Sequence, residues 1–240
     1  MISASDTMHS FAHRASGRGW FWLASVGILW LATALRLFCL PCQSLRGDEG
    51  LTYVYGGRPL PEMIEIVTVT SPHPPLYYAL MHGWMNLAGS SEFALRFPSV
   101  AASLLLVAAV ALLASELGGA RLGQLAALLA AINPYQVYYA QDARSYPLIT
   151  ALGVLSTWWL WRALQLGRRS AWIAYGALLI LLMYTHYYFF LIVAFQALFV
   201  AWHAWRSRRL PAGFLGASGL AGLAYVPWLI VSWQLISSYK

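Results

Sequence analysis

Charge is scarce in this chain. Only 10% of its 240 residues are Asp, Glu, Lys or Arg, against 60% hydrophobic and 15% aromatic. A soluble domain has no use for so apolar a surface, and the mean hydropathy of +0.61 makes the bilayer the solvent. Cysteine is limited to Cys39 and Cys42. A single C-x-x-C without a second pair or nearby histidines argues against zinc; it leaves an interfacial pair or, in an oxidising compartment, a local disulfide. Internal repeats and low-complexity tracts are also missing. The 15 basic residues give a net charge of +7, yet they form no aromatic-interleaved patch of the kind that tracks phosphates, which excludes nucleic acid as a partner.

What is present is a series of apolar blocks separated by short polar joints. They run from about Trp20 to Leu40, Phe97 to Leu117, Gln124 to Ala140, Tyr146 to Leu164, Ala171 to Tyr184, Tyr187 to Trp205 and Ala212 to Trp233. Each approaches the ~20 residues that cross a hydrocarbon core, and the short fifth block is accommodated by thinning the bilayer. The expected fold is all-α: one polytopic membrane domain over residues 1–240, with about seven transmembrane helices. No small-residue cleavage site follows the first block, so it reads as an uncleaved span rather than a signal peptide.

Orientation turns on His73 to Leu87, because counting it as a span reverses everything after it. With that segment in the interface, Arg14, Arg18, Arg121, Arg162, Arg168, Arg169, Arg206, Arg208 and Arg209 share one side with only Asp6 and Glu116. The positive-inside rule makes that side, including the N-terminal segment 1–19, cytoplasmic. The other side receives Arg36, Arg46, Arg58, Arg96, Arg144 and Lys240 with six of the eight acids. It also receives a first external loop, residues 41–96, with interfacial helices. Loops longer than ~15 residues usually carry function.

Four groups of reactive side chains fall on this extracytoplasmic face. Asp48 and Glu49 are adjacent carboxylates near a membrane surface. Desolvation and mutual repulsion should raise at least one pKa and make a proton acceptor, or the pair binds a divalent cation; a solvated loop pair is the alternative. In Ser71-Pro72-His73-Pro74-Pro75-Leu76-Tyr77-Tyr78, the prolines start the interfacial helix and His73 can bind an anion, a metal or a proton, or merely cap. In Gln141-Asp142-Ala143-Arg144-Ser145-Tyr146, Arg144 can clamp a phosphate bidentately or pair with Asp142. Thr185-His186-Tyr187-Tyr188 supplies His186. Carboxylates, His, Arg and Tyr together suit a reaction between a membrane-anchored phosphate ester and a hydroxyl.

In order along the chain stand Asp-Glu, then His-Pro-Pro-Leu-Tyr-Tyr, then Gly-Ser-Ser-Glu-Phe-Ala-Leu-Arg-Phe-Pro-Ser, then Tyr-Ala-Gln-Asp-Ala-Arg-Ser-Tyr, then Tyr-Thr-His-Tyr-Tyr. This order resembles the bacterial branch of the GT-C glycosyltransferases, related to protein O-mannosyltransferases and the lipid A aminoarabinose transferase. The resemblance implies inverting transfer of a sugar from a polyprenyl-phosphate donor to a lipid, glycan or protein acceptor of the cell envelope. It implies catalysis by Asp48 with Glu49 beside it. It also implies substrate binding by His73, Tyr77, Tyr78, Arg96, Gln141, Asp142, Arg144, Tyr146 and His186. A divalent metal, if one is used, falls to Asp48, Glu49 and His73. Family members usually continue with further spans, so the alternative is a truncated or non-catalytic subunit that takes those spans from a partner chain. A transporter is disfavoured because the span centres lack ionisable residues.

Overall fold

A computed structural model describes residues 4–70 and 73–238, with side chains from residue 21 onward except at 69, 70, 235, 236 and 238. The side chains of Asp6, Arg14 and Arg18, and all of Ser71, Pro72 and Lys240, lie outside the described residues. Among the described residues ten helices follow in order: α1 (Ala4–Leu37), α2 (Gly47–Gly56), α3 (Leu60–Thr70), α4 (Leu76–Ala88), α5 (Glu92–Ile132), α6 (Pro134–Ala140), α7 (Tyr146–Leu166), α8 (Arg169–Thr185), α9 (Phe189–Ser207) and α10 (Ala212–Ser238). No strand occurs among the described residues. Glu92–Ile132, Phe189–Ser207 and Ala212–Gln234 are long and apolar enough to cross a membrane, and Phe21–Leu37 and Arg169–Thr185 are shorter apolar helices. The protein is an all-α membrane protein.

Helix α5 is a hairpin. Ser91 caps its start by accepting from the Ala94 amide at 3.2 Å. The helix then breaks at Gly118 and Gly119, the latter at φ +82°, a conformation that favours glycine. The second arm returns against the first so closely that a Cβ on Gly123 would collide with Ser115 Oγ. Val107 of one arm and Ala127 of the other share a buried cluster with Ala32 of α1. The expected span Gln124 to Ala140 is therefore not one helix. Pro134 lacks the N–H needed to continue, and the Asn133 side chain, accepting from Gln136 N at 3.1 Å, starts α6 instead.

Two further clusters complete the core. Tyr55, Met63, Val67, Tyr77, Tyr78, Met81 and Leu95 join α2, α3 and α4 to the first turns of α5. The faces of α7, α8, α9 and α10 pack around Tyr175, Leu160, Leu179 and Leu182. Inside this second cluster, buried Gln196 donates to Ser156 Oγ (2.8 Å) and Thr157 Oγ1 (3.0 Å) and accepts from Tyr175 Oη (3.1 Å). An amide so paired carries no desolvation penalty and fixes the register of α7, α8 and α9. At the far ends of α5's first arm and α7, remote from α2, Glu116 pairs with Arg162 at 3.5 Å.

Arg36 corrects its assignment as an external loop charge. It sits in the last turn of α1, 0% exposed. Its Nε donates to Ser103 Oγ (2.8 Å), Nη1 to Ala32 O (3.0 Å) and Ala131 O (2.9 Å), and Nη2 to Ala130 O (3.2 Å). Ala130 and Ala131 end the returning arm of α5, so the guanidinium serves the orphan carbonyls and the negative pole of that helix. Replacing it strands those carbonyls in an apolar bundle. Arg36→Met should lose about 2–4 kcal/mol of stability, read as a lowered midpoint in a detergent melt. Arg58→Ala, at the exposed Arg58–Glu62 pair (3.7 Å), should leave the midpoint unchanged.

Candidate functional site at the α2 end of the bundle

The scaffold of the site is one buried ion pair. Glu49 is 0% exposed and Arg96 3%. Arg96 Nε and Nη2 donate to the two Glu49 oxygens, each at 2.8 Å. Its remaining donors reach Leu40 O (2.7 Å), Gln43 O (2.8 Å) and Ser44 O (3.2 Å). Glu49 also accepts from the amides of Arg46 and Ala143, both at 2.9 Å, the first as a capping-box acid does at a helix start. Burial alone would raise the Glu49 carboxyl, but the Arg96 bond and these two amides outweigh it and hold it below the usual carboxylate range. The expectation of a raised pKa in the acidic pair is thus reversed at Glu49. Every N–H of Arg96, expected among the substrate-binding residues, is engaged within the protein.

Two other expected residues belong to the scaffold, although the Tyr77 hydroxyl has no hydrogen-bond partner among the described residues. Gln141 Nε2 caps α1 through Phe38 O (2.9 Å), Leu35 O (3.2 Å) and Arg36 O (3.4 Å). Tyr77 is buried in the α2–α4 core, and burial raises its phenol above the ordinary value. The turn between α1 and α2 is closed by a Cys39–Cys42 disulfide, and that turn supplies Leu40 O and Gln43 O to Arg96.

Asp48, Arg144, Tyr146, His73, His186 and Tyr78 come together around this scaffold. Asp48 is exposed, and its carbonyl accepts from Arg144 Nη1 at 3.1 Å. Arg144 is 9% exposed, with its guanidinium over the Tyr146 ring at 5.9 Å. The alternative of an Asp142–Arg144 ion pair is not realised; the two meet only through Arg144 N and Asp142 O at 2.8 Å. No carboxylate pairs with Arg144 among the described residues. Asp142 is buried with Oδ1 unpartnered, and burial, followed by the charge of Glu49, raises its carboxyl. Beyond Arg144 the His186 ring lies 5.5 Å from that of His73 and 5.6 Å from that of Tyr146. Burial lowers both imidazoles, with Arg144 adding to the effect, His186 to about 4.

The profile of the family described as dolichyl-phosphate-mannose-protein mannosyltransferase matches residues 72–231, about two thirds of the chain. The chain belongs to this mannosyltransferase family. Its members are membrane glycosyltransferases of the GT-C type, and this is such a protein. No curated protein and no solved structure matches the chain. His73, Arg144, Tyr146 and His186 lie inside the matched segment, whereas Asp48 and Glu49 precede it.

Two apolar clefts meet the cluster on either side of α7. The larger, about 830 Å³, is lined by Tyr139, Tyr146, Ile149, Thr157, Tyr188 and Ile192. The other, about 400 Å³, is lined by Tyr77, Trp84, Phe97, Leu148 and Arg144. Tyr139 and Tyr188 are absent from the substrate-binding residues expected from the sequence. Among the described residues no three His, Cys, Asp or Glu side chains could hold a metal. Of the metal candidates, Glu49 already accepts four hydrogen bonds, so the residues present do not fit a divalent ion.

The Glu49–Arg96 pair carries a pH signature. A carboxyl held below its unfolded value stabilises the fold above that value and loses the contribution as pH falls through the folded one. Glu49→Gln should therefore cost about 3 kcal/mol at pH 7. The gap to the parent should narrow as pH falls below the unfolded value of ~4.5 and close once Glu49 protonates in the folded parent, the variant having no carboxyl there to titrate. Melts of the two proteins across pH 7 to 3 check this.

Proposed function

We propose that this chain transfers a sugar from a polyprenyl-phosphate donor to an acceptor hydroxyl on a lipid, glycan or protein at the extracytoplasmic face, with inversion. One observation carries the proposal: an exposed acid, Asp48, is held through its main-chain carbonyl to a buried arginine, Arg144, that has no carboxylate of its own. Asp48 takes the acceptor's proton while the acceptor oxygen attacks the anomeric carbon. The C–O bond to the phosphate breaks with its electron pair on the phosphate oxygen, and Arg144 stabilises that charge. A phosphate leaving group needs little protonation, so a base and a cation suffice. The polyprenyl chain lies along an apolar cleft that opens at Arg144.

In this reading Glu49, Arg96 and Gln141 position the site, and His73, Tyr78, Asp142, Tyr146 and His186 surround the donor. The membrane arrangement is a single domain of seven spans, with both arms of the α5 hairpin crossing, a cytoplasmic N-terminus and α2–α4 at the outer interface of the inner membrane. The Arg distribution supports this orientation, as does the pairing of Glu116 with Arg162 at the end away from Asp48.

The test is transfer of label from radiolabelled polyprenyl-phosphate mannose and related sugars to membrane acceptors by the chain in lipid. Asp48→Asn should lower transfer at least ~100-fold with donor binding retained. Arg144→Gln should weaken donor binding. Transfer undiminished in Asp48→Asn rejects the base assignment, and a parent that binds donor without transferring it points to a module completed by another chain.

A further inference from the structure

His186 occupies the joint between α8 and α9, 6% exposed. Its Nδ1 accepts from the Tyr188 backbone amide at 3.2 Å. That bond fixes the tautomer: in the neutral ring the proton resides on Nε2, which becomes a donor. Nε2 has no hydrogen-bond partner among the described residues. The ring packs against Tyr146 at 5.6 Å, and Arg144 lies over the same Tyr146 ring at 5.9 Å. A free donor on a buried ring and a buried cation without a carboxylate therefore lie against the same tyrosine, and one anionic group reaching both would answer them.

We infer that His186 is a phosphate-binding residue of the site proposed above, donating its Nε2–H to a non-bridging oxygen of the polyprenyl phosphate that Arg144 clamps. The inference rests on that reading and adds the second donor of the clamp. Burial and the nearby His73 and Arg144 keep the ring neutral at ordinary pH. The phosphate thus meets one full positive charge and one neutral donor. Protonation at Nδ1 would also forfeit the Tyr188 amide bond.

Two conservative substitutions separate binding from local structure. His186→Asn keeps an oxygen where Nδ1 accepts from Tyr188 N but lacks the reach of Nε2. His186→Gln places an amide N–H near Nε2 but loses the short-range cap. The probe is farnesyl phosphate binding to the full chain in lipid nanodiscs, with farnesol as the phosphate-free reference and a melt for each variant. His186→Asn should weaken farnesyl phosphate roughly tenfold with farnesol binding and the melt unchanged, and His186→Gln should stay within about threefold of the parent. Farnesyl phosphate binding equal to the parent in His186→Asn, with Arg144→Gln still weakened, overturns the role of His186 and leaves the proposed function standing. A parent that binds farnesyl phosphate no better than farnesol overturns both.

Discussion

The bidentate pair between Glu49 and Arg96 is the constraint on which the rest of the site depends. Two opposite charges removed from water are tolerated only when their remaining hydrogen-bonding capacity is met. Here it is met by the carbonyls of the α1–α2 turn on one side and the Arg46 and Ala143 amides on the other. The pair thereby joins the start of α2, the start of α5, the end of α1 and the loop before α7. Because consecutive helical residues point about 100° apart, burying Glu49 turns its neighbour Asp48 outward. The Ala143 bond brings Arg144 to Asp48 in the same stroke.

The three buried arginines at this end of the molecule differ in a way that separates scaffold from site. Arg36 and Arg96 are surrounded by carbonyls and a carboxylate that answer their donors. Arg144 has one carbonyl, two neighbouring tyrosines and no carboxylate. Burying a cation without a counter-charge is costly, and a protein keeps such an arrangement where a ligand supplies the missing charge. The apolar clefts on both sides of α7 suit a ligand with a hydrocarbon tail behind its anion.

The sequence made the helical class and its apolar blocks legible, because block length against bilayer thickness is a strong signal. It also picked out the residues that cluster around Arg144. It could not tell scaffold from site within its own candidates: Glu49 and Asp48 are adjacent, and only burial separates the structural carboxylate from the free one. Arg36 was misplaced because an arginine near the end of an apolar block looks like a loop charge until the helix it caps, 94 residues on, is known. The break at Asn133-Pro134 was readable from the proline, yet the apolar run through it outweighed that signal.

The most direct test is a structure of the chain in a lipid nanodisc with a polyprenyl-phosphate mannose bound. The account predicts the phosphate against the Arg144 guanidinium, the lipid tail in an apolar cleft beside α7, and the Asp48 carboxylate facing the anomeric carbon from the side opposite the phosphate. A donor bound elsewhere, or one whose anomeric carbon lies out of reach of any acceptor that Asp48 could deprotonate, would contradict it.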